Sequence, residues 1–352
     1  ANGNFSQIGN EEVENGDFSE VGAEEITNGD FATDSNWNKG SGWTISGGTA
    51  NKNSATNNYL SQDFSGNGQF KVTYTISGYV SGNVRVRIGS GFSTNIRTSD
   101  GIYTEYLSKD TASFGFYGYG EFSIDNVSVK EVAQDWELNS TAIFTANGIN
   151  ITTGGYIRQD VLTSGKSYQL TYDIISYTSG NIRVYDGTDQ GSIPTVLGSN
   201  TFNFTAGGTS FYIQSNSVSV NLVIDNVSVK EVGQGWGQSG TWNATNYVEF
   251  NGSSARLVTD GTGVGISQTP MILGREYKLT FDVIAAALGS AKFDGASISF
   301  SSVDSYSTTF TATQTGLTYY RNSGAADITI DNIVLQELKH DATNLMLNAG
   351  AY

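Results

Sequence analysis

The sequence predicts an all-β fold: three tandem antiparallel β-sandwich (jelly-roll) domains with an extended N-terminal arm. Three observations carry that expectation. Runs of β-branched and aromatic residues alternate with polar ones at period two, and Gly/Ser/Asn clusters separate the runs. A closing motif recurs three times: IDNVSVKEV at 124–132 and again at 224–232, then IDNIVLQEL at 330–338. Its Asp is Asp125, Asp225 and Asp331, so the spacings are 100 and 106 residues, each long enough for a core of its own. Finally, the 352 residues include 43 Gly and only 2 Pro, and no segment shows a convincing helical period.

The arm comes first. NGNFSQIGNEEVE (2–14), NGDFSEVGAEEIT (15–27) and NGDF (28–31) repeat with a period of 13. Asn-Gly signals a tight turn, because Gly and to a lesser degree Asn tolerate positive φ. Phe5, Phe18 and Phe31 stand at the same relative position, and the Glu pairs at 11–12 and 24–25 keep the opposite side wet. Thirteen residues cannot form a core. Residues 1–29 are therefore expected to dock Phe5 and Phe18 onto a module or onto a neighbouring chain, with the third NGDF opening module one.

Module one spans 30–132. In Lys71–Ile76 the apolar side is Val72, Tyr74 and Ile76. In Asn83–Ile88 it is Val84, Val86 and Ile88, with two arginines on the other face. The alternation changes phase at Asp125-Asn126, which predicts a bulge. Module two (133–232) and module three (233–338) repeat the landmarks: QLTYDI at 169–174 and KLTFDV at 278–283 match KVTYTI at 71–76. Val283–Leu288 is expected to finish a strand and enter a loop. HDATNLMLNAGAY (340–352) matches neither repeat and is expected to be a tail or the start of a further module. With no initiator Met and a start inside a repeat unit, the chain reads as an excerpt or processed product of a longer one.

Composition excludes several chemistries. There is no Cys and one His, so no thiolate, disulfide, Cys metal site or His cluster is available. The net charge of −16 opposes nucleic-acid binding, and no apolar run approaches the ~18 residues of a membrane-spanning helix. Charged residues are 15% of the chain against about 25% in ordinary domains; small polar residues take the outward strand positions and turns instead. No nucleophile elbow, zinc-protease or phosphate-loop signature occurs, and the chain is expected not to be an enzyme.

Aromatic residues supply the candidate sites. A flat π face suits the apolar face of a pyranose, which makes Trp43, Trp136 and Trp242 candidates for carbohydrate stacking. Their repeated placement near module openings fits core or edge packing as well. Tyr117 and Tyr119 alternate with glycines and fall on the strand face opposite Phe116. They fit a ligand platform, a contact with another chain, or a core role.

The Trp-containing opening, the K/Q-x-T-Y/F-x-I/V strand and the closing IDNVSVKEV together resemble the carbohydrate-binding-module jelly rolls of the galactose-binding-like superfamily. Tandem copies with this ending are also similar to repeats in bacteriophage tail, fibre and decoration proteins and in bacterial surface adhesins. The resemblance covers about 28–338. It implies a virion or extracellular location, partners that are further copies or other virion and surface proteins, a cell-surface polysaccharide ligand, and homotrimers as the usual fibre form. It also implies a structural Ca²⁺ where closing and opening strands meet, with Asp30 and Asp125 as candidate ligands, although a turn Asp bonded to backbone amides fits the same positions. No NGDF opens modules two or three in sequence order, so the metal expectation stops at module one. The alternative is a set of carbohydrate-binding modules from a secreted bacterial polysaccharide-degrading enzyme or adhesin.

Overall fold

The computed structural model describes residues 5, 8–111, 113–139, 141–240, 245–251 and 253–338. Among these residues there is no helix; the fold is antiparallel β throughout. Buried side chains gather into three hydrophobic cores, each built mainly from one third of the chain and joined by residues of the N-terminal arm.

In module one the central strand Gly68–Ile88 pairs along most of its length with the closing strand Phe114–Val132. Both strands bend midway, where Gly78, Gly82 and Gly120 take φ of 60°, 91° and 117°. At Gly82 and Gly120 the two backbones nearly touch: a Cβ on Gly82 would lie 1.9 Å from the Tyr119 carbonyl oxygen. The bend folds one sheet into two layers. Val72, Tyr74 and Ile76 face inward from the first layer, and Val84, Val86 and Ile88 from the second, all buried in one core. Module three repeats this design with Glu276–Asp294 and Leu317–Glu337. In module two the layers are separate sheets of six and five strands.

The predicted bulge is present in each closing strand. Register shifts between Thr73 and Thr75 opposite Ser128 and Asp125, and Asn126, Asn226 and Asn332 take φ of 50°, 52° and 53°. Asparagine tolerates this left-handed conformation better than most side chains. Val283–Leu288, expected to leave its strand for a loop, instead lies inside the 19-residue strand Glu276–Asp294, with register shifts at Val283/Ala285 and Ala286/Leu288. Those irregularities remove the clean alternation that would have marked a continuing strand.

The arm is not a separate unit. Its strand Ile8–Glu11 joins the closing strand of module two, and Val21–Glu24 joins that of module one. The aromatic anchors follow the same reversed order. Phe31 enters core one, Phe18 core two and Phe5 core three. The NGDF at 15–18 therefore opens module two, although all of module one intervenes before module two's own strands begin at Glu137. This corrects the expectation that only module one has an NGDF. The Asn-Gly chemistry also differs from the simple turn expectation. Asn15 and Asn28 take the positive φ (48° and 54°), while Gly16 and Gly29 are demanded by crowding. A Cβ there would fall 1.9 Å from the Val227 carbonyl oxygen and 2.0 Å from that of Val127.

Candidate binding surface

Each arm turn seats its Phe on a tryptophan. Ring centroids are 5.2 Å apart for Phe31–Trp37, 5.5 Å for Phe18–Trp136 and 5.7 Å for Phe5–Trp236. The indole N–H of Trp37 donates to the Asn28 carbonyl at 3.0 Å, and that of Trp136 to the Asn15 carbonyl at 3.0 Å. All three phenylalanines hold φ near +50°, a conformation costly for a bulky side chain and kept only where packing outweighs it.

This geometry decides the tryptophan candidates. Trp136 is buried as the receptor for Phe18. Trp43 is also buried, edge-on to Phe122, with its N–H donated to the Asn58 carbonyl. The Lys52 ammonium lies 5.4 Å from the Trp43 ring, and burial pushes its pKa below the usual lysine range. Neither ring offers an open face to a sugar. Trp242 lies outside the described residues.

Tyr117 and Tyr119 do lie on the outer face of the sheet, opposite the fully buried Phe116. Tyr117 belongs to a cross-strand cluster. In register it sits between Tyr59 and Arg85, while Arg87 pairs with Phe92. The Tyr59 and Tyr117 rings are 4.6 Å apart, and Phe92 and Tyr117 are 5.3 Å apart. The Arg85 guanidinium stands 4.2 Å from the Phe92 ring, and that of Arg87 stands 5.2 Å from the Tyr59 ring. These distances suit cation–π attraction. Alternation placed the two arginines on the outer face, but Tyr59 and Phe92 come from other strands and only the register brings them in.

A buried polar network holds the loop behind Phe92. The Glu105 carboxylate accepts hydrogen bonds from the Tyr74 hydroxyl at 2.7 Å, from Asn95 Nδ2 and Arg97 Nη2 at 3.3 Å each, and from the Ser93 hydroxyl. Burial, then the Glu105 charge, raises the Tyr74 phenol far above its ordinary pKa, so it stays a donor. Backbone bonds tie Ser93 to Val86 and Arg97 to Val84. Phe92 is therefore presented by an ordered edge.

The same face carries different charge in the other modules. In module two Tyr156, Tyr185 and Tyr212 form a similar aromatic row, with ring centroids 5.5 and 5.8 Å apart. There Arg158 is neutralised by Glu137 at 2.7 Å and Asp160 at 2.8 Å, and Arg183 by Asp189 at 2.6 Å. In module three Lys292 pairs with Asp294 at 2.8 Å. Among the described residues Arg85 and Arg87 have no ion-pair partner, and their contacts are with rings.

Asp30 and Asp125 are both satisfied locally. Asp30 accepts from the Ala32 amide at 3.3 Å, and Asp125 from the Asn126 amide at 2.6 Å. No group of three or more acidic or His side chains suited to a metal occurs among the described residues. The corresponding pair in module two is Asp17 and Asp225. There burial first, and the Asp17 and Asp173 charges as well, raise the Asp225 carboxyl, against the lowering effect of the Asn226 amide bond.

No protein-family model and no curated protein sequence matches the chain. Among solved structures, a chain from the atomic structure of Sulfolobus turreted icosahedral virus is similar at 12% identity with a TM-score of 0.24, covering 86% of this chain and 90% of that one. Another, from work on the triple jelly roll fold and turret assembly in an archaeal virus, shows 12% identity and a TM-score of 0.24, covering 90% of this chain and 89% of that one.

Proposed function

We propose that the chain is a non-enzymatic structural and adhesive surface protein, a virion fibre or decoration component, whose first module binds an anionic cell-surface polysaccharide. The observation that carries the binding reading is the Arg85/Arg87 pair. In a protein of net charge −16, two uncompensated guanidiniums stand over three exposed or half-exposed rings. Rings stack on sugar faces, and guanidiniums take carboxylate or sulfate groups in a fork. Tyr119, on the same face, extends the platform. The structural reading is supported by the threaded arm, which ties three modules together through buried aromatics. Repeated weak contacts on an assembled particle gain avidity without a deep pocket.

The test is titration of the intact chain with acidic and neutral polysaccharides. Binding to acidic ones, weakened at least tenfold by R85Q/R87Q with an unchanged melting temperature, is the expected result. Binding to none of a broad acidic panel, or binding indifferent to both substitutions, refutes it. Antibody labelling of purified particles checks the virion location. We propose structural calcium at Asp30 and Asp125 only as the resemblance implies it; an unchanged melting temperature on calcium titration rejects it.

A further inference from the structure

The two closing strands that accept arm strands use one set of contacts. In module two Ile8 pairs with Val232 and Glu11 with Lys230; the Glu12 amide donates to the Val229 carbonyl at 2.9 Å. The Glu11 carboxylate accepts from the Ser228 hydroxyl at 2.6 Å and the Val229 amide at 2.7 Å. In module one Val21 pairs with Val132 and Glu24 with Lys130; the Glu25 amide donates to the Val129 carbonyl at 2.9 Å. Glu24 accepts from Ser128 at 2.6 Å and from the Val129 amide at 2.7 Å.

Among the described residues, module three has the same edge without the strand. Ile333, Val334 and Leu335 occupy the places of Val127–Val129, following the same Asp-Asn bulge. Their inner side pairs with the central strand, Thr280 with Val334 and Leu279 with Leu335. Among the described residues no strand lies on the outer side. The apolar consequences are visible. Val334 is 56% exposed. Leu335 and Leu338 are only half-buried, whereas Val129, Val229, Val132 and Val232 are all buried. Yet the neighbouring aromatic seat is filled, since Phe5 lies 1% exposed against Trp236 and Phe250.

We infer that the outer edge of Ile333–Leu338 is a receptor for one further strand of the arm type: an extended acidic segment, antiparallel to the closing strand, that leads into Asn2. The two occupied edges define its polarity and register, and the seated Phe5 defines where it must end. Backbone pairing supplies the main recognition, as in strand addition to an open edge. A carboxylate at the Glu11/Glu24 position keeps the Leu335 amide as donor but loses the hydroxyl donor, because Val334 replaces Ser128. One arm repeat of 13 residues then accompanies each module of about 100.

The test joins Val-Gly-Ala-Glu-Glu-Ile, the sequence of residues 21–26, directly ahead of Ala1 in the full chain. Amide hydrogen exchange at Leu335 is expected to slow by about tenfold or more, and the melting of module three to rise. A second extension with Pro at the position of the second Glu, whose amide should donate to Leu335, is expected to protect much less. Unchanged exchange at Leu335 in the first extended chain overturns the proposal. So does a dimer of the unextended chain, seen by light scattering, that protects Leu335 and survives the extension.

Discussion

Replacing Phe18 with Ala removes the plug from core two. Phe18 is 2% exposed and packs on Trp136, which in turn lies 6.4 Å from Phe211 in the same core. A buried Phe→Ala change costs about 3–5 kcal/mol, combining lost transfer energy with the cavity left behind. For a unit of about 100 residues, 1 kcal/mol shifts the melting temperature by about 4–8 °C, so F18A should lower the module-two transition by roughly 12 °C or more. The effect is expected to centre on core two, because Phe31 and Phe5 anchor the other two cores, with a smaller effect on module one through Val132 and Tyr106, which pack against core two. Differential scanning calorimetry of F18A and F5A provides the assay, with hydrogen exchange at Ile224 and Ile330 assigning each transition to its module. A loss below about 1 kcal/mol for F18A, or the same transition weakened by both variants, would refute the assignment of arm repeats to separate modules.

Three other outcomes follow from the same contacts. Gly16→Ala places a Cβ 1.9 Å from the Val227 carbonyl oxygen, so urea denaturation should show destabilisation of about 2 kcal/mol or more; tolerance of the alanine would mean the turn is looser than described. Glu24→Ala leaves the Val129 amide without its 2.7 Å acceptor and should cost about 1–3 kcal/mol, with faster exchange at that amide. Asp225 gives a pH signature. Its carboxyl is raised, mainly by burial and also by Asp17 and Asp173, so the folded state holds the proton more strongly than the unfolded chain. Its contribution to stability therefore falls as pH rises through the raised value. Asp225→Asn should melt higher than the parent at pH 7 and lose that advantage near pH 3; a constant difference across that range contradicts the assignment.

The bulge at Asp125-Asn126 was legible because it changes the phase of a period-two pattern, and pattern is local. The outer position of Arg85, Arg87 and Tyr117 was legible for the same reason. The burial of Trp43 and Trp136 was not, since a ring that packs a module opening and a ring that greets a ligand stand at the same sequence positions. Nor was the cluster with Tyr59 and Phe92, which depends on how four strand segments are registered.

The amino-acid sequence by itself determined the β class, the threefold repetition of the closing motif and the 13-residue spacing of the arm phenylalanines, because alternation, turn chemistry and repeat spacing act over a few residues. Only the tertiary structure decided which module each arm repeat serves. Glu11 meets Ser228 across 217 residues, and Phe5, the first phenylalanine of the arm, enters the core of the last module. Contacts of that span are chosen by which cores and strand edges lie open in the assembled fold, and no local pattern encodes that choice.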